Sequence, residues 1–177
     1  PAPEKPTIED PRREAERRAR MARHPYLARH AQVNELLQRA RAAIARGEFA
    51  AAHIDLVTAS QGDERNQEIK ALLVEVKKKA DAQRSKAEHE RATKLEQATD
   101  MTGALAAYKT ASNQDPKNAE AAYAVARIMS RYNLAVKESC TYAQRAAEAD
   151  PKRAEYQLLL AKLYEQAGMK QLAKKHF

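Results

Sequence analysis

The chain has 177 residues, room for one ordinary domain or a short array of small repeats. Hydrophobic residues are 44% and charged residues 32%, with four glycines, two phenylalanines and no tryptophan; this mixture favours helices over sheets, and no apolar run approaches the roughly 18 residues of a membrane span. The 32 basic against 24 acidic residues give +8, which favours an acidic partner, and the single cysteine, Cys140, excludes an internal disulfide or a cysteine-built zinc site and fits a reducing, cytoplasmic setting.

Residues 1–11, PAPEKPTIEDP, hold four prolines and one large apolar residue, Ile8, and are expected to form a disordered linker. An Arg-rich segment follows over 12–32. Its first part, RREAERRARMARH, is rich in strong helix formers, and Pro25 stops or kinks that helix at His24. A second helix is predicted from about Tyr26 to Arg46, ended by Gly47. Residues 67–84, QEIKALLVEVKKKADAQR, contain no Gly or Pro. Ile69, Leu72, Leu73, Val76 and Ala80 fall on one stripe, which predicts one long helix from about Asn66 to Ala98. No secretory signal is visible at the start. The chain does not begin with Met, and an excised piece of a longer protein is expected.

Three fragments repeat a pattern of small residues followed by an acidic residue at a turn. Ala52, Leu56, Ala59 and Asp63 correspond to Ala104, Tyr108, Ala111 and Asp115, and Ser139, Ala143, Ala146 and Asp150 continue the series. In the last stretch Ala161, Tyr164, Gly168, Ala173 and Phe177 keep a related spacing. These positions resemble the tetratricopeptide repeat, a pair of antiparallel helices with a small-residue seam. The resemblance implies an all-α, TPR-like α-solenoid, a right-handed superhelix of stacked helix pairs, with the long helix between the first and second repeats. The array would occupy 33–177: repeats at 33–66, 85–118 and 119–153, an insert at 67–84, and a truncated repeat at 154–177. Repeat two departs from the pattern at Glu88 and Arg91, and repeat one at Glu64. Because the last repeat has no cap, Tyr156, Leu160, Leu163 and Phe177 are expected to be partly exposed or covered by a neighbouring molecule, a surface for self-association.

No catalytic constellation is present. The four glycines (47, 62, 103 and 168) are scattered and read as turns rather than a phosphate loop. His89-Glu90 lacks the second histidine of a zinc helix, with Thr93 in its place, and Cys140 has no evident histidine partner and reads as a small buried filler. A non-enzymatic protein with no cofactor and no metal is therefore expected. The resemblance implies a concave groove that binds a peptide or partner protein. Its candidate contacts are Asn34, Arg41, Lys86, His89, Tyr123, Arg127 and Lys162, with Leu37 and Ile44 from the same helix face of repeat one. Arg41, Arg127 and Lys162 make a line of cations suited to an acidic ligand. The two-carboxylate clamp that reads chaperone C-termini does not match, since its positions hold Leu37/Arg41, His89/Thr93 and Tyr123/Arg127. The order of segments also resembles the region after the J-domain in some bacterial DnaJ-like co-chaperones, which implies a client- or partner-binding arm. The alternative is nucleic-acid or anionic-surface binding through the basic N-terminal helix, which has no interleaved aromatics for base stacking.

Overall fold

Proline and glycine punctuate the helices. In the computed structural model, which describes residues 11–22 and 24–175, α1 spans Pro11–Ala22 and α2 spans Pro25–Ala45. Pro25 occupies the first turn of α2, where a missing N–H costs nothing. Gly47 ends α2 with φ +75°, a conformation that a side chain would strain. The turn lets the Gly47 N–H donate to the Ile44 carbonyl at 3.0 Å and the Glu48 N–H to the Ala43 carbonyl at 2.9 Å. Next come α3 (Phe49–Gly62) and α4 (Gln67–Gln97), the latter an unbroken helix of 31 residues. The remaining helices are α5 (Met101–Gln114), α6 (Ala119–Arg131), α7 (Val136–Ala149), α8 (Ala154–Gln166) and the single turn α9 (Lys170–Ala173). Among the described residues there is no strand. The all-helical expectation and the long helix both hold.

The acidic residue that recurs in the sequence has a local purpose. Asp63, Asp115 and Asp150 each follow a helix, and the Oδ1 of each accepts the backbone N–H two residues on, at 3.2, 3.0 and 3.3 Å. This turns the chain without stranding a donor. Asn66 and Asn118, three residues after the first two aspartates, then cap α4 and α6 by accepting from the N–H groups of Ile69 (3.2 Å) and Ala121 (3.0 Å).

The chain divides into two compact units, residues 1–77 and 78–177. In the first, α2 and α3 form a hairpin. Val33, Leu37, Ala40 and Ala43 of α2 meet Ala52, Leu56 and Ala59 of α3, with Ile69 and Val76 from the first part of α4 completing the core. In the second unit, Ala92 from the last part of α4 joins Ala104, Tyr108 and Ala111 of α5. That core continues through Val125 and Met129 of α6 and Ala143 and Ala146 of α7 to Leu160 and Leu163 of α8. Cys140 is buried here, and burial raises its thiol pKa, which disfavours the reactive thiolate.

Three expectations need correction or fall away. Tyr156, Leu160 and Leu163 are only 1%, 1% and 0% exposed, because α8 packs these residues against α7 and α6 and the turn of α9. The apolar residues left outside are Leu158, Met169 and Leu172. Of the four glycines only Gly47 and Gly168 serve as positive-φ turns; Gly62 and Gly103 lie inside α3 and α5. The expected linker over 1–11, apart from Pro11, and Phe177 lie outside the described residues.

At Gly62, the last residue of α3, there is no room for a side chain. A Cβ there would lie 2.5 Å from Cγ2 of Val33, a buried, β-branched residue that cannot rotate away cheaply. Alanine is the better helix former by up to about 1 kcal/mol, but overpacking costs about 1–3 kcal/mol. Gly62→Ala is therefore expected to lower the urea midpoint, and a raised midpoint would show that α3 and α2 are not this close.

Candidate functional site

In the second unit the expected face draws on the last part of α4, on α6 and on α8. On α4 the residues are Lys86, His89, Thr93 and Glu96, on successive turns of the helix. From α6 come Glu120, Tyr123 and Arg127; from α8 come Glu155, Leu158 and Lys162. The expected contacts Asn34 and Arg41 belong to the first unit. Leu37, from the same expected face, is a buried core residue of that unit.

Most of the charge on these residues is already spoken for. Arg127 Nη2 donates to Glu96 Oε1 at 2.6 Å, with both side chains partly shielded. Glu96 Oε2 accepts from the Tyr108 hydroxyl at 3.0 Å, and that hydroxyl lies 3.2 Å from Thr93 Oγ1. The result is a chain of polar contacts, Thr93–Tyr108–Glu96–Arg127, tying α4 to α5 and α6. Arg41 is similarly held by Glu68. Of the three cations expected to form one line, only Lys162 has no acidic partner among the described residues, and it is exposed. Lys86 is exposed as well. Asn34 Nδ2 lies 3.1 Å from Nδ1 of His30.

Aromatic contacts hold the remaining residues of the face. His89 meets the edge of Tyr108 at 5.2 Å and 70°, and its Nδ1 is buried with no hydrogen-bond partner. A bare lone pair is less costly there than a buried N–H without an acceptor, so the favoured tautomer carries its proton on Nε2. Tyr123 is half-buried and stacks on Tyr156, centroids 4.8 Å apart. Tyr156 in turn lies under the Arg153 guanidinium, 5.4 Å from the ring centre, and its hydroxyl accepts from Arg153 Nη1 at 3.1 Å. Arg153 also reaches Glu120 at 3.4 Å. The sequence named Tyr123 and Arg127 as contacts, but read Tyr108 as a seam residue and Tyr156 as part of an exposed end, and did not single out Arg153. The partners of Arg127 and Tyr123 lie about 30 residues away, and only the repeat spacing brings them together.

Among the described residues, no group of three or more His, Cys, Asp or Glu side chains could hold a metal ion. None of the described helices is long and apolar enough to cross a membrane. The second unit packs its helices in sequence, α5 on α6, α6 on α7 and α7 on α8. Neither a protein-family model nor a curated protein sequence matches the chain. Solved structures similar to it include MamA (16% identity over 78% of this chain and 90% of that one, TM-score 0.47). Others are PilF of Pseudomonas aeruginosa (14%, 84% and 75%, 0.45) and a tetratricopeptide repeat protein of Parabacteroides merdae (16%, 82% and 51%, 0.43). The likeness is one of fold.

Burial raises the pKa of Tyr108, Tyr156 and Tyr164 above the ordinary tyrosine value of 10.0; the nearby Glu96 adds to the rise at Tyr108, and Arg153 opposes it at Tyr156. Each is harder to ionise when folded than when unfolded. Their contribution to stability is therefore complete below pH 10 and is lost as pH rises through the folded values. Ultraviolet titration is expected to show tyrosine ionising later in the folded chain than in urea, with stability falling from about pH 10 upward. Identical titrations in the two states would contradict the packing described.

Proposed function

We propose that this chain is a non-enzymatic protein-interaction module that binds a peptide segment of a partner on the face built by α4, α6 and α8 of the second unit. The observation that carries this reading is the make-up of the face. It combines an aromatic anchor, Tyr123, with an exposed leucine, Leu158, 44% accessible, and an exposed cation, Lys162, on neighbouring helices. Tyrosine in a shallow, rigid setting is a favoured anchor for protein partners. The Glu96–Arg127 pair between them positions the helices rather than attracting ligand, so the electrostatic attraction comes from Lys162 and Lys86. An acidic peptide remains the preferred partner. Asn34 and Arg41 of the first unit are proposed as contacts for a further stretch of partner.

The finer assignments rest on the sequence alone. The array boundaries at 33–66, 85–118, 119–153 and 154–177 are part of this reading. So are a bacterial, cytoplasmic setting and the role of partner-binding arm in a DnaJ-like co-chaperone, which follows from the order of segments. The basic N-terminal helix, with Arg12 and Arg13 exposed on α1, supports the competing nucleic-acid reading.

One titration series decides between them. A partner obtained by pull-down with this chain is measured against Tyr123→Ala, Lys162→Glu and Arg12→Glu/Arg13→Glu. Tyr123→Ala is expected to weaken binding by about tenfold or more, as for a hot-spot aromatic. Lys162→Glu is expected to weaken it less, with an effect that shrinks as salt screens the charge. Loss only in the arginine pair would replace this reading with the basic-helix one.

A further inference from the structure

A second surface of the same unit carries a chemistry that the α4–α6–α8 face does not. Helices α5 and α7 are bridged by two polar contacts. Lys109 Nζ donates to Glu138 Oε1 at 2.7 Å, and Arg145 Nη1 donates to Asn113 Oδ1 at 3.1 Å. Beyond the second bridge, toward the ends of both helices, a cavity of about 550 Å³ opens. It is lined by Ser112, Asn113, Pro116, Lys117, Arg145, Glu148 and Ala149.

Three features mark this cavity. First, neither of its two cations is paired with a carboxylate. Arg145 bonds only the neutral amide of Asn113 and stacks on Tyr142, 5.2 Å from the ring centre. Lys117 has no carboxylate partner among the described residues. The arginines Arg91, Arg127 and Arg153 of the same unit are paired with carboxylates, whereas Arg145 is not. Second, Ser112 is 1% exposed, and its Oγ has no hydrogen-bond partner. A buried hydroxyl without a partner costs roughly 1–3 kcal/mol, so such groups are normally satisfied. Third, the one acid on the rim, Glu148, is already engaged by Gln144 Nε2 at 2.7 Å. Cations near helix C-termini complement the helix dipoles, which accounts for where Arg145 and Lys117 sit. It does not account for the cavity between them or for the unpartnered serine.

We infer that this cavity is a carboxylate subsite, which takes one acidic side chain of a protein partner against Arg145 and Lys117, beside the buried Ser112. A carboxylate fits better than a phosphate dianion, because Glu148 repels a second negative charge, and Pro116 and Ala149 give the aliphatic stem an apolar wall. The subsite rests on the reading of the chain as an interaction module but lies on a different surface. The acidic partner favoured by the net charge would then be recognised at the helix ends of α5 and α7, while Arg127 is occupied by Glu96.

The probe is an acetylated, amidated triglutamate peptide, titrated into isotopically labelled full chain at low salt and followed by NMR. Signals of Ser112, Asn113 and Arg145 are expected to move saturably. Arg145→Gln and Lys117→Gln should each weaken the apparent affinity about fivefold or more, the effect of losing a charge-assisted contact. Lys117 is an exposed turn residue, so its replacement is expected to leave the fold intact, and Arg145→Lys should restore part of the loss. If the lysine and arginine signals drift together without saturation, or if Lys117→Gln and Arg145→Gln bind like the parent, the subsite is refuted. Inorganic phosphate saturating the site at lower concentration than the peptide would also overturn it. Weakening in Lys162→Gln and Tyr123→Ala alone would refute the subsite and leave the α4–α6–α8 face standing. Weakening in the cavity variants alone supports the subsite and counts against that face for this ligand.

Discussion

Close approach of helix backbones is the constraint on which the rest of this protein depends. Wherever two helices of a pair meet, the sequence places alanine, and those alanines have no exposure: Ala40, Ala52 and Ala59 in the first unit, Ala104, Ala111, Ala121, Ala126, Ala146 and Ala161 in the second. A larger side chain at such a point would push the helices apart and open voids elsewhere. Because the backbones are near, short side chains can reach across. Ser85 Oγ donates to the Ala111 carbonyl at 2.8 Å and accepts from Asn118 Nδ2 at 2.9 Å. Ser139 Oγ donates to the Ala126 carbonyl at 3.2 Å. Serine on a wider seam would be a buried polar group with nothing to bond.

The same spacing decides what the charged face can do. Arg127 lies within reach of Glu96 because α4 and α6 are neighbours, and Tyr108 reaches both Glu96 and Thr93 from α5. A guanidinium held by a carboxylate in a half-buried setting serves to hold helices in register, and replacing its partner by a ligand would require breaking a satisfied network. Cations without such partners are therefore the better guide to ligand charge. In the second unit such cations include Lys86 and Lys162 on the expected α4–α6–α8 face, and Lys117 with Arg145 beside the cavity at the ends of α5 and α7.

Sequence periodicity carried much of the fold. The stripe of Ile69, Leu72, Leu73 and Val76, with no Gly or Pro nearby, marked the long helix to within a residue or so of its ends. The recurring Asp63, Asp115 and Asp150 marked turns whose hydrogen bonds are now visible. What stayed hidden depends on packing across elements. The end of the chain looked as if it should leave Tyr156 and Leu160 bare, but α8 turns those residues inward against α7 and leaves Leu158 outside. Gly62 read as a turn because the sequence does not show that Val33 stands against it. Arg127 read as a free cation because its partner is 31 residues away. A binding residue and a residue that holds helices together look alike until their neighbours are known.

The seam is tested most directly by one pair of substitutions on one helix. Ala104 and Ala106 both lie on α5; the first is fully buried at the helix contact, the second exposed. Leucine has nearly the same helix propensity as alanine, so propensity cancels in the comparison. Guanidinium unfolding followed by circular dichroism is expected to show Ala104→Leu losing about 1–3 kcal/mol and Ala106→Leu changing by less than about 0.5 kcal/mol. Equal stability of the two variants would contradict the account, because it would mean that the helices of this protein are not held apart by the width of an alanine.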